Sequence, residues 1–347
     1  MVAVSLDSGL SSLQIGKECS YQRLHGAVTD ELPGLIRVYK DGHVERSQIV
    51  PCVTTRLAPE LGVLSRDTII DRVSNIWARF YVPTTSEDRK PLIVYFHGGG
   101  FCVGSSAWSC YHEFLSKLAA KTDCLVMSVN YRLAPENPLP AAYEDGITAL
   151  MWLKKLSVSN CDSGQSWWTK QCNFSNIFLA GDSAGANIVY NVISMVGSDT
   201  TLNLKGMIMI QPFFGGEART DSEKNLVQSP RSALSLAASD TYWRLALPRG
   251  ANRDHRWCNP MAKLKDGGEI IVQLPMMVCI SEMDILRDRN LEFVNSDLVC
   301  KGKKKRVVHK GVGHAFQILS KSQIAQTRTI EMMSEINDFI SGCYIST

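Results

Sequence analysis

The sequence predicts an α/β fold with a mainly parallel central sheet flanked by helices. Three observations carry this expectation. Short apolar runs alternate with longer helix-patterned stretches through most of the chain, as parallel strands joined by crossover helices do. A Gly-x-Ser-x-Gly segment, Gly181-Asp182-Ser183-Ala184-Gly185, lies between a strand pattern and a helix pattern. A second glycine segment, His97-Gly98-Gly99-Gly100-Phe101, follows directly on another apolar run.

The elements follow in order. Residues 1 to about 34 are weakly patterned. Pro91 to Phe96 is a buried-strand pattern, as is Cys124 to Tyr131. Pro138 and Pro140 precede a helix expected over Ala141 to Leu156. The polar stretch Ser157 to Lys170, with Trp167-Trp168 in it, reads as a surface insertion. A strand over Ile177 to Ala180 and a helix over Ser183 to Val196 flank the serine motif. Strands are then expected at Lys205 to Gln211, Met276 to Ile280 and Arg306 to His309. Between the first two of these, Phe213 to about Met261 is weakly patterned.

Composition narrows the function classes. With 347 residues, length alone allows one large domain or two smaller ones, and 45% apolar content is ample for a core. A net charge of +3 is too small to imply a nucleic acid or an anionic membrane as partner. The basic run Lys301 to Arg306 reads as a solvated loop leading into a strand. Eleven cysteines are scattered without CxxC or metal-ligand spacing, so reduced, mostly buried thiols and no metal are expected. No signal-peptide pattern or span of membrane length is read, which points to a cytoplasmic protein. Asn173-Phe174-Ser175 fits a glycosylation sequon that such a protein leaves unused.

The two glycine motifs carry chemistry. A Gly-x-Ser-x-Gly turn between strand and helix exposes a serine hydroxyl at its apex. A serine nucleophile needs N–H donors aimed at the developing oxyanion, and a glycine loop after a strand supplies them. An acid and a base follow Ser183 in chain order. Asp284 lies just beyond the strand Met276 to Ile280, and His314 lies in Gly313-His314-Ala315-Phe316 beyond the strand Arg306 to His309. His314 would act as general base and then general acid, with Asp284 holding its tautomer. Glu282 and Asp288 are rival acids. Among the seven histidines, His309 falls in a strand pattern and His112 in a helix pattern. His97 belongs to the glycine loop and is better suited to orient it, while His25, His43 and His255 lack a matching context.

Together HGGGF, Tyr131-Arg132-Leu133-Ala134-Pro135-Glu136, GDSAG and Gly313-His314-Ala315-Phe316 resemble the plant carboxylesterase family, in the hormone-sensitive-lipase group of α/β-hydrolases. The resemblance runs from about Leu35 to about Ile340, and within it Ile36 to Arg46 reads like that family's entry hairpin. It implies an α/β-hydrolase fold in a single domain over 1–347. A small cap would be built from residues 1–34 and from an insertion after the sixth strand, about 213–261. Carried over, the triad falls on Ser183, Asp284 and His314, and the oxyanion donors on Gly99, Gly100 and Ala184, with Gly98 able to replace one glycine. Where many relatives continue the serine motif with a further glycine, this chain has Ala186. Arg132 and Glu136 are expected to make structural ion pairs behind the site. Phe101, Phe213, Phe214, Trp243, Ile285 and Leu286 are candidates for the pocket wall, with ordinary core packing as the rival reading.

The resemblance implies a serine carboxylesterase for a small or medium uncharged ester, needing no cofactor, binding no nucleic acid or membrane, and monomeric or weakly dimeric. One alternative is elimination, dehydration or cyclisation of a specialised metabolite with the histidine as base. Another is a small-molecule hormone receptor. The gibberellin receptor resembles these esterases but lacks the histidine, whereas His314 is present here.

Overall fold

The computed structural model describes residues 24–85, 88–158, 166–197, 203–229, 232–265 and 272–345. It divides into two compact units, Met1–Ile49 and Val50–Thr347.

The first unit carries a three-stranded antiparallel sheet of β1 (Val28–Leu32), β2 (Ile36–Tyr39) and β3 (Val44–Arg46). The expected hairpin is β2 with β3, pairing Val38 with Val44. Asp41 closes its turn by accepting the His43 N–H at 2.9 Å, with Gly42 at φ 88 beside it. Of the segment 1–34, residues 1–23 lie outside the described residues.

The second unit is built on an eight-stranded sheet. Its strands are β4 (Val63–Asp71), β5 (Ile76–Pro83), β6 (Lys90–Phe96), β7 (Leu125–Asn130), β8 (Cys172–Asp182), β9 (Leu204–Ile210), β10 (Met276–Ser281) and β11 (Lys304–His309). Their spatial order is β11-β10-β9-β8-β6-β7-β5-β4. From β6 to β11 the pairing is parallel; β5 is antiparallel to both β4 and β7. The sequence reading assigned no strand before Pro91 in this unit. β4 leaves Leu64 and Ile69 exposed at the sheet edge, so its burial does not follow a clean alternation. The parallel strands are buried on both faces, which is why β6, β7 and β10 are near-continuous apolar runs.

Helices Ser109–Thr122 and Gln323–Ile345 pack on one side of the sheet, where Phe114, Leu118, Met332, Ile336 and Phe339 join Ile93, Phe178 and Ile208 in one core. Ala141–Val158 begins three residues after Pro138 and packs against Ala184–Val196, the helix that follows Ser183. Trp168 overturns the surface reading of its segment. It is fully buried, stacked on Phe80 at 4.4 Å and on Trp152 at 5.9 Å. The polar residues 159–165 of that stretch lie outside the described residues.

Strand order reverses at β6: the chain steps outward to β7, then returns to the other side of β6 as β8. In open parallel sheets such a reversal leaves a crevice at the carboxyl ends of the strands. Both glycine motifs open there, since Phe96, the last residue of β6, pairs with Gly181 on β8.

Candidate active site

Ser183 stands at the junction of β8 and the helix Ala184–Val196, with φ 53 and ψ −118. A non-glycine residue with positive φ is strained, and such conformations persist only where the surroundings enforce them. Here the Ser183 N–H donates to the Ile210 carbonyl at 2.8 Å, and its own carbonyl accepts from Phe213 N–H at 3.0 Å. Gly185 lies where the elbow crosses the end of β6; a Cβ there would run into the Phe96 carbonyl. Ala186, in the place of the further glycine, is fully buried.

Three elements bring the expected triad together. Asp284 follows β10 and His314 follows β11, beyond the carboxyl ends of the two strands that lie on the far side of β9 from β8. His314 Nε2 lies 2.9 Å from Ser183 Oγ, and His314 Nδ1 lies 2.7 Å from Asp284 Oδ2. Asp284 is fully buried and its other oxygen accepts the Leu286 N–H at 3.0 Å. With Asp284 beside Nδ1, the neutral ring carries its proton there and turns the Nε2 lone pair to the hydroxyl. The rival acids are engaged elsewhere. Glu282 accepts the Gly311 N–H at 2.9 Å, and Asp288 accepts the Ser222 N–H at 2.6 Å.

The glycine loop after β6 turns through positive φ at Gly99 (113) and Gly100 (58). The Gly98 N–H is engaged, lying 2.7 Å from Tyr111 Oη and 3.0 Å from Asp182 Oδ1. Of the loop candidates this favours Gly99 and Gly100 as donors, with Ala184 at the first position of its helix, where N–H groups have no intrahelical partner. His97 is fully buried and stacks on Tyr131 at 4.3 Å, with Nδ1 2.8 Å from the Gly98 carbonyl. Burial holds its pKa down at about 4, so the ring is neutral near pH 7 and braces the loop rather than charging it.

Two further residues, Asp182 within the serine motif and Gln211, were given no role by the sequence reading. Asp182 is buried beneath the loop, accepting from Tyr95 Oη at 2.8 Å and Tyr111 Oη at 3.0 Å. Burial raises its carboxyl to about 6, opposed by those hydroxyls. Gln211, just past β9, reaches both Ser281 and Ala315.

The six expected wall residues are all buried. Phe213 stacks on Trp243 at 4.6 Å and both contact Phe101, while Phe214 packs on Phe293 at 4.6 Å. Ile285 and Leu286 continue the chain beyond Asp284. A cavity of about 500 Å³ opens against His314, and its lining includes Met283, Gly313, Phe316 and Leu319 rather than any of these six.

Residues 213–261 contribute the helices Asp221–Asn225 and Leu236–Ala246. Tyr242 of the second lies over Gly100, where a Cβ would strike its ring. The first is tied to the segment after Asp284: Ser222 Oγ donates to the Ile285 carbonyl at 2.7 Å, and buried Glu223 binds Arg289 at 3.0 Å. Arg132 pairs with buried Asp145 at 2.6 Å, at the base of the following helix. Among the described residues no group of three or more metal-ligating side chains comes together, and no helix is long and apolar enough to cross a membrane.

The α/β-hydrolase fold family model matches residues 93–318. "Probable carboxylesterase 6" of Arabidopsis thaliana is 54% identical over 325 residues, covering 91% of this chain and 93% of that protein. The 2-hydroxyisoflavanone dehydratase of Glycyrrhiza echinata is 34% identical, covering 83% of this chain and 89% of its own length. In fold, the chain resembles the Pyrobaculum calidifontis esterase, with a TM-score of 0.66 at 24% identity over 84% of this chain and 86% of that one. Glycine loop, elbow serine and a histidine beyond the last strand all fall within the matched span, and the chain belongs to the α/β-hydrolase fold family.

Proposed function

We propose that this protein is a serine carboxylesterase acting on a small or medium uncharged ester through an acyl-enzyme on Ser183. The observation that carries the reading is the 2.9 Å approach of His314 Nε2 to the Ser183 hydroxyl, with Asp284 behind the ring. The names of the relatives lend support, "Probable carboxylesterase 6" above all.

In this mechanism His314 takes the hydroxyl proton as Ser183 Oγ attacks the ester carbonyl. The negative charge that develops on the carbonyl oxygen is met by the N–H groups of Gly99, Gly100 and Ala184. His314 passes the proton to the leaving alcohol oxygen, and the C–O bond breaks to leave acyl-Ser183. A water then repeats the sequence, giving its proton to His314 and releasing the acid as Oγ takes the proton back. Asp284 keeps the Nδ1–H tautomer and stabilises the transient imidazolium. Residues 213–261 serve as a cap segment over the glycine loop. The reaction calls for no metal or cofactor. The partner is a small-molecule ester rather than a nucleic acid or membrane, the state a monomer or weak dimer, and the setting cytoplasmic. Free thiols at Cys52, Cys124 and Cys172 suit a reducing compartment.

The test is turnover of p-nitrophenyl acyl esters of increasing chain length, by wild type, Ser183→Ala and His314→Ala. Both variants should lose turnover, and wild type should show a burst of p-nitrophenol where deacylation is slow. The dehydratase among the relatives makes a non-hydrolytic reaction the specific rival. Activity on the natural substrate that survives Ser183→Ala but not His314→Ala would replace hydrolysis with histidine-catalysed elimination or cyclisation.

A further inference from the structure

We infer that Gln211 is a positioning residue for the histidine loop, linking the strand that carries the acid to the backbone beside His314 through one side-chain amide. The inference rests on the esterase reading for its kinetic arm and on geometry alone for its second arm.

Gln211 lies immediately beyond β9, and its fully buried side chain is held by a backbone at φ 48. Its N–H donates to the Cys279 carbonyl at 2.8 Å, extending the β9–β10 ladder by one residue. The side chain spans two triad elements. Oε1 accepts the Ala315 N–H at 2.6 Å, one residue after His314. Nε2 donates to Ser281 Oγ at 2.6 Å, three residues before Asp284, and reaches Gln317 Oε1 at 3.4 Å. The residue before it completes the set, because the Ile210 carbonyl holds the Ser183 N–H. The amide orientation is settled by chemistry. A backbone N–H is donor only, so the oxygen must face Ala315 and the NH₂ must face Ser281.

The loop needs such a hold. Ala315 has φ 54, a left-handed conformation that alanine adopts at a cost. An Ala315 N–H left without its acceptor would be a buried unsatisfied donor, and the loop would relax to find another partner. His314 is the adjoining residue, so relaxation there moves Nε2 relative to Ser183 Oγ. A displacement of about 1 Å in a reacting group can cost roughly 10²-fold in rate.

Two substitutions separate positioning from packing. Gln211→Met keeps the volume and removes the acceptor. Gln211→Glu keeps an acceptor for the Ala315 N–H but places a carboxyl in a dry site, which lowers stability. A packing role therefore predicts that Met is the better-tolerated change in every assay. A positioning role predicts the opposite order in turnover. For hydrolysis of p-nitrophenyl butyrate, Gln211→Met should lower kcat about 10- to 100-fold with KM changed by less than about twofold, whereas Gln211→Glu should stay within about fivefold of wild type. Thermal unfolding should rank Met at or above Glu. Hydrogen exchange at the Ala315 amide gives a readout free of turnover: slow in wild type and Gln211→Glu, at least about tenfold faster in Gln211→Met. If Gln211→Met keeps wild-type kcat, or turnover simply follows melting temperature, the assignment is overturned. If wild type hydrolyses no ester at all, the esterase reading fails instead. Unchanged Ala315 exchange in Gln211→Met would then still overturn the role given to Gln211.

Discussion

Asp182 Oδ1 accepts the Gly98 N–H at 3.0 Å, so the residue directly before Ser183 holds the first glycine of the neighbouring loop. Elbow and glycine loop come from sequence positions more than eighty residues apart, yet they meet through this carboxylate and the Tyr111 hydroxyl that both share. Ser183 and the glycine loop are thereby set against each other by one buried carboxyl group.

Titration of Asp182 should be visible in stability. Burial raises its carboxyl from 3.8 to about 6, so the folded chain holds a proton there that the unfolded chain gives up at lower pH. The stabilising contribution of that proton is complete below the unfolded value and is lost as pH rises through about 6. Two pKa units correspond to about 3 kcal/mol. Asp182→Asn has no such titration, so the variant should gain on wild type by up to about 3 kcal/mol between pH 4 and pH 7. Urea unfolding at a series of pH values measures it; a difference constant with pH would show the carboxyl ionised throughout.

Ser183→Ala should remove ester turnover down to a residual about 10³- to 10⁴-fold above the uncatalysed rate, which binding and the oxyanion donors supply. An organophosphate should add its mass to wild type at Ser183 and not to the variant. Labelling of another residue by peptide mapping would refute the assignment of the nucleophile.

Gly100→Ala should impair both fold and chemistry. The position has φ 58, and the added methyl meets the Tyr242 ring. Overpacking of this kind costs about 1–3 kcal/mol; alanine keeps the N–H, so kcat should fall only through displacement of that donor, by up to about 10²–10³-fold if it leaves the oxyanion altogether. Steady-state kinetics beside a melting curve separates the two. A kcat within threefold of wild type beside an unchanged melting curve would show that the methyl is absorbed without moving the loop.

Glu223→Ala should be among the more damaging changes outside the triad. The carboxylate is buried, accepts the Thr220 N–H at 2.8 Å and pairs with Arg289 at 3.0 Å, joining the 213–261 segment to the helix after Asp284. Removing one partner leaves a buried guanidinium without its carboxylate, at about 3–5 kcal/mol. Chemical denaturation reads this directly; a loss below about 1 kcal/mol would mean that solvent or another carboxylate has taken the place of Glu223.

Local pattern alone determined the parallel core of this protein and pointed to Ser183, His314 and an acid after the strand Met276 to Ile280 as its candidate chemical groups. β6, β8 and β10 are buried on both faces, and a strand so placed must be apolar at successive positions, a signal that needs no neighbour to be read. Ser183, Asp284 and His314 were legible because each lies just past such a strand, in the chain order a carboxyl-edge site imposes. Tertiary structure decided what depends on partners distant in sequence. It set Asp284 against His314 Nδ1 at 2.7 Å and placed Glu282 and Asp288 on backbone donors elsewhere. It engaged the Gly98 N–H and so favoured Gly99 and Gly100 among the loop donors. It buried Trp168 in a segment whose composition is polar, because Phe80 and Trp152 arrive from other elements to cover it. It gathered the expected wall aromatics into a stacked cluster and opened the cavity beside His314 elsewhere. Asp182 and Gln211 were illegible for the same reason: a buried polar side chain is defined by its hydrogen-bond partners, and theirs lie between 70 and 106 residues away along the chain.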